Sequence, residues 1–197
     1  MEMLLIVVVS VVGSLIVMSF VEYYLHGYVL HQKNVLPAFL YRWFPAIEME
    51  RHEHTELHHE KYYRVFNNEP DPVGRELAQR IGLKTTLIMF ALFAPALYAI
   101  AILVSPIPSI VFMAVGLLYV LTWNTIHVEM HQPKHPWWSA LWPYTYLARY
   151  HFVHHDLQRK GVHMNENLVL PFVDFLTGRH QTPTKEHRDE MRRIGMR

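Results

Sequence analysis

Two long stretches of this chain carry no charge. Residues 3–21 and 85–126 contain no Asp, Glu, Lys or Arg, and most of their positions are apolar. Crossing the hydrocarbon core of a bilayer takes about 20 apolar residues in a helix. The first stretch therefore predicts one crossing. The second, forty-two residues long, predicts two, broken at Ser105-Pro106-Ile107-Pro108-Ser109, where the prolines suit a tight hairpin turn. Pro95 falls inside the second crossing and is expected to kink it. The alternative is a very apolar buried helix pair in a soluble protein. Glu2 stands where a secretory leader would carry positive charge, and no small-x-small site follows, so the first stretch is expected to be retained.

The polar remainder orients the spans. All 18 Lys and Arg lie in 22–84 or 127–197. Positively charged loops stay on the cytoplasmic side. The N-terminus and the proline hairpin are thus expected outside and everything else inside, in a bacterial inner membrane or the endoplasmic reticulum. Stretches 36–47 (with Trp43) and 137–147 (with Trp138 and Trp142) are too short to cross. Their aromatic content predicts helices lying at the membrane interface. The fold expected is all-α: about three transmembrane helices plus interfacial helices, as one membrane-embedded domain over 1–180 with a charged peripheral tail over 181–197.

Composition narrows the chemistry. With no cysteine, disulfide scaffolds, thiolate metal sites, iron–sulfur clusters and Cys nucleophiles are excluded. A net charge of +1 argues against a nucleic-acid partner. Fifteen histidines remain, all on the expected cytoplasmic part, and ten form four tight groups. These are His26 and His31 (HGYVLH), His54, His58 and His59 (HTELHH), His127 and His131 (HVEMH), and His151, His154 and His155 (HFVHH).

At about 100° per residue, positions three or four apart share a helix face. His127 with His131 should project together, as should His54 with His58. HFVHH can cap one metal or bridge two. His26 and His31, five apart, should serve different metals unless the helix is distorted there. Ten imidazoles exceed the four ligands of a closed zinc site and suit two metals with open positions. Neutral nitrogen ligands are compatible with Fe, Zn, Cu or Ni. His52 should point away, Glu129 should face away from the metals, and His135, His180 and His187 are expected to be solvated. Competing readings are a loose metal-trapping loop, a zinc hydrolase, and a metal transporter or sensor. The transporter reading expects ionisable groups inside the spans, and the uncharged runs contain none.

The order HxxxxH, HxxxHH, HxxxH, HxxHH between apolar spans resembles the fatty acid hydroxylase/sterol desaturase superfamily of membrane di-iron oxygenases. The lead-in Glu22-Tyr23-Tyr24-Leu25-His26 is similar to that family's first box, with Gly27 where the family has Arg. His163-Met164-Asn165-Glu166-Asn167 and the following Pro171 to Gly178 resemble its N-x-N stretch with a later Pro, Asp and Gly-Thr, here Gly178-Arg179. Nine residues separate His155 from Asn165, more than is usual in the family.

The resemblance implies two irons on the ten histidines, replaceable by zinc on overexpression, with O2 as co-substrate. It implies a membrane lipid substrate, an acyl chain or a sterol- or isoprenoid-like molecule, that is hydroxylated; the alternative is desaturation. No HPGG haem motif is present, so electrons would come from a separate cytochrome b5-like or ferredoxin/reductase donor. His163, Asn165, Asn167, Asp174 and Glu22 are candidates for an additional ligand or for orienting a ligand ring, and Asp156 for the latter.

Overall fold

A computed structural model describes residues 2–63, 80–131, 137–138 and 140–196. Every regular element among these residues is helical. Helix α1 (Glu2–Tyr24) continues into a π-helical turn, Leu25–Val29. After α2 (Ala38–Trp43), α3 (Ala46–His52) runs on into a second π-helical stretch, Glu53–Tyr62. Then come α4 (Leu83–Leu103), α5 (Pro106–His131), α6 (Trp142–Gln158), α7 (Phe172–Leu176) and α8 (Lys185–Arg193).

Three helices are long and apolar enough to cross a membrane: Glu2–Val29, Leu83–Leu103 and Pro106–His131. The shortest has 21 residues, about 32 Å at 1.5 Å per residue, against a hydrocarbon core of about 30 Å. Their outer faces are bare apolar surface. On α4 only Thr86 is buried, while Leu87, Leu92, Tyr98 and Leu103 are exposed. A helix apolar all round, with so little of it covered by protein, calls for an apolar surrounding.

The proline hairpin is shorter than expected. Pro106 opens α5 instead of lying in the loop, with the Ser105 hydroxyl accepting from the Ile107 N–H at 3.3 Å. Proline suits that place because the first-turn N–H has no partner within the helix to lose. Pro95 sits within α4 without ending it. The spans meet at Gly116 of α5, where a Cβ would lie 2.8 Å from Phe90 Cε1 and 2.9 Å from Met18 Cε. Glycine is what lets α1 and α4 close on α5 at that level.

Of the two short stretches expected as separate helices, 36–47 is divided between α2 and the start of α3. The second merges with α6, whose first residue is Trp142. The main core joins α5, α6 and α8 through Trp123, Met130, Phe152, Val153, Leu157, Leu168 and Met191. The segment after Gln181 is fastened to this body. Met191 and His187 are buried, Thr184 and His187 cap α8 reciprocally, and His187 Nε2 meets Asp156 Oδ2 at 2.9 Å. His187 is therefore not the solvated ring expected. Nor is His180, which stacks on Phe175 with ring centroids 3.9 Å apart and meets the Tyr146 hydroxyl at 3.2 Å. His135 lies outside the described residues.

Candidate metal centre

The four histidine boxes sit at the ends of α1 and α5, in the second π-helical stretch and along α6. Their rings gather into two groups of five, the ligand nitrogens of each lying within 4.8 Å of one another. His26, His31, His54, His59 and His154 form one group; His58, His127, His131, His151 and His155 form the other.

Helix type decides this sorting. In an α-helix His26 and His31 would diverge, but the turn between them is π-helical, with the Leu30 N–H bonded to the Leu25 carbonyl at 2.9 Å. An i→i+5 register brings residues five apart onto one face, so both rings enter the same group. The second box follows the same rule. Its backbone is π-helical, the Tyr63 N–H reaching the His58 carbonyl at 2.8 Å. His54 groups with His59, which the π-helical register brings round to its side, and not, as α-helical spacing predicts, with His58. The Thr55 hydroxyl ties the two π-helical stretches together by donating to the Leu30 carbonyl at 2.5 Å. In α-helical α5, His127 and His131 do share a group. Box four divides: His151 and His155, four apart, join one group and His154 the other.

Within each group the Nε2 atoms converge. His54 Nε2 lies 3.0 Å from that of His26 and 3.2 Å from those of His31 and His59. His151 Nε2 lies 3.2 Å from that of His131 and 3.1 Å from that of His155. So many ring nitrogens at one point cannot satisfy one another, since a neutral imidazole offers one donor and one acceptor. His58 hydrogen-bonds through neither nitrogen, and His154 Nε2 is unpartnered, both in fully buried rings. Unpartnered lone pairs aimed at a common point fit a cation.

Electrostatics agree. Burial first, and then mainly the neighbouring imidazoles, hold His58, His59, His151, His154 and His155 well below the usual 6.5. Neutral rings with free lone pairs are the form that ligates. The groups abut, His59 stacking on His155 with ring centroids 3.9 Å apart.

Two rings have their tautomer set by one loop. His26 Nδ1 donates to the Glu166 carbonyl at 2.5 Å, and His154 Nδ1 to the Met164 carbonyl at 3.1 Å. Both Nε2 atoms are thereby left as acceptors. The N-x-N residues build that loop. Asn165 takes a left-handed conformation (φ 60), and its side chain bonds the Tyr150 carbonyl and both backbone groups of Gln181. Asn167 donates to the Ser19 carbonyl at 2.7 Å. Asp174 accepts from the Glu166 and Asn167 N–H groups and from the Tyr150 hydroxyl.

Glu22, a candidate for orienting a ligand ring, has its hydrogen bonds elsewhere. Its carboxylate accepts from Tyr119 Oη at 2.5 Å, the Leu168 N–H at 2.7 Å and Asn167 Nδ2 at 3.3 Å. It thus locks α1 and α5 to the loop. Asp156 also misses the rings and pairs with His187, Arg159 and Lys160. His52 is half exposed and paired with Glu56 at 2.7 Å, and buried Glu129 belongs to neither group. His163 is in neither group; its ring centroid is 6.3 Å from that of His31.

Glu166 was not singled out from the sequence. Its fully buried side chain accepts from Gln158 at 2.9 Å and places Oε2 3.4 Å from His154 Nδ1. Burial, and next the charge of Asp174, push this carboxyl well above the usual range. The signal available was a lone acid among uncharged residues between Lys160 and Asp174. A polar cavity of about 570 Å3 opens beside the first group, lined by His31, Thr55, His59, Glu60, Gln158, Arg159, Gly161 and His163. No protein-family model matches the chain, and no curated protein or solved structure is detectably similar to it.

Proposed function

We propose that this chain is a multi-pass membrane oxygenase that holds two irons and hydroxylates a lipid, in keeping with its resemblance to the fatty acid hydroxylase/sterol desaturase superfamily. The observation that carries this reading is the sorting of ten imidazoles, nine buried and one half-buried, into two abutting sets of five. Five neutral nitrogens per set exceed the four ligands of a closed structural zinc site and suit a borderline metal such as iron. Bound there, an iron pair reduced by an external donor supplies O2 activation and insertion of an oxygen atom into a C–H bond.

The protein's own part is to fix geometry and exclude water. The carbonyls of Met164 and Glu166 hold two ligand tautomers, while Glu22 and Asp174 keep the loop carrying those carbonyls in place. The span-end positions of His26, His127 and His131 favour a substrate delivered from the bilayer. The Lys and Arg distribution favours a centre on the cytoplasmic side.

Metal analysis of protein purified without air should give two irons per chain. Lipid extracts from cells with and without the chain should differ by a species one oxygen heavier, labelled when 18O2 is supplied. Loss of two hydrogens instead would make the activity a desaturation. A product that forms without O2 would remove the oxygenase reading.

A further inference from the structure

The two histidine groups differ in access. The five rings of the His58 group are 0–3% exposed, and none lines the polar cavity. Aromatic rings close on this group: Tyr63 lies 4.3 Å from His131 and Trp123 4.3 Å from His127, centroid to centroid. In the His26 group, by contrast, His31 is only half-buried, and both His31 and His59 form part of the cavity wall. Next to them in that wall stand the half-buried His163 ring, the exposed Glu60 and the Gln158 amide.

We propose that this cavity is the port through which a metal ion reaches and leaves the His26 group, and that the His58 group exchanges its ion only when the helices around it open. The inference rests on the metal-centre reading but not on iron or oxygen chemistry. A hydrated ion sheds water at a severe cost unless polar groups replace it step by step. The cavity wall supplies a carboxylate, an amide, a hydroxyl and three imidazoles, and its one guanidinium, Arg159, is paired with Asp156 at 3.0 Å. Its volume of about 570 Å3 exceeds the roughly 180 Å3 taken by six waters at about 30 Å3 each. The His58 group contributes no residue to this cavity and its rings are 0–3% exposed, so its ion must wait for a local opening.

The test uses full-length protein in detergent, loaded with Zn2+ and then mixed with excess chromogenic chelator. One zinc per chain should leave in a fast phase and a second at least about tenfold more slowly. His54→Ala should abolish the fast phase, and His127→Ala the slow one. His163→Ala, which widens the port, should speed the fast phase, whereas His163→Trp should slow it; both should keep two zincs. Opposite signs at one position do not arise from general destabilisation. A single phase for both ions, or His163 variants that release at the parent rate, would overturn the port. Loss of a zinc in His163→Ala would make His163 a ligand and likewise overturn it. Protein that takes up no zinc at all would instead remove the metal-centre reading beneath it.

Discussion

Single side chains carry two separate tasks in this site. The ten imidazoles face inward, and a short list of groups sets their orientation. Gly27 shows how tight that second task is. A Cβ there would lie 2.7 Å from Glu166 Cγ and 3.0 Å from Cδ. Gly27→Ala must displace Glu166, whose carbonyl holds His26 and whose carboxyl lies beside His154. The expected outcome is about 1–3 kcal/mol of lost stability by overpacking and about 10–100-fold weaker metal binding at the His26 group. Thermal unfolding and metal titration check both, and an unchanged titration would show that Glu166 sets nothing. His180→Ala, which removes a ring stacked on Phe175, should leave bound metal unaltered, whereas His58→Ala should lower it. At this scale sequence reading reached the ten clustered histidines, because charge-free spans isolate them. It missed Glu166, since one acid inside a short polar loop carries no periodic signal, and left Glu22 a mere candidate, because its partners lie 97–146 residues away.

Among the elements, the two π-helical stretches matter most, and they were the least legible. An assumed period of 3.6 residues per turn puts His26 and His31 apart and His54 with His58. The five-residue spacing was visible; the i→i+5 hydrogen bonds that make it a shared face were not. Isolated π turns depend on partners outside their own helix, and here Thr55 binds one stretch to the other. Thr55→Val removes that donor and leaves the Leu30 carbonyl without it. It should cost about 1–3 kcal/mol and loosen the His26 group while sparing the His58 group. Zinc stoichiometry of the variant, resolved into its two release phases, reads this out; equal loss from both groups would contradict it. The proline hairpin was misplaced for a related reason, four of its five expected residues lying in α5: proline breaks a helix from within but also begins one.

For the molecule as a whole, the charge-free runs made the three long apolar helices legible from composition alone. Sidedness is testable because the chain has no cysteine of its own. A cysteine placed at Ser105 should react with an impermeant reagent from outside intact cells, and one at Gly161 should not; labelling of both from one side would end the proposed topology. Acidity acts on the whole fold as well. The buried histidines stay neutral when folded but take up protons when unfolded below about pH 6.5. Their contribution is therefore complete above that pH and is lost as pH falls below it. Melting temperature and bound metal should decline together between about pH 7 and pH 5, and a flat profile would show that the rings are not held neutral.

The two His-His pairs have a mechanical consequence. His58 and His59 are chain neighbours facing different groups, and so are His154 and His155. Consecutive Cα atoms are held about 3.8 Å apart by a planar peptide. The spacing between the two groups is thus bounded twice by covalent bonds, in addition to the packing of the helices. Helix motions can tilt the two groups against each other but cannot part them further than two neighbouring side chains reach.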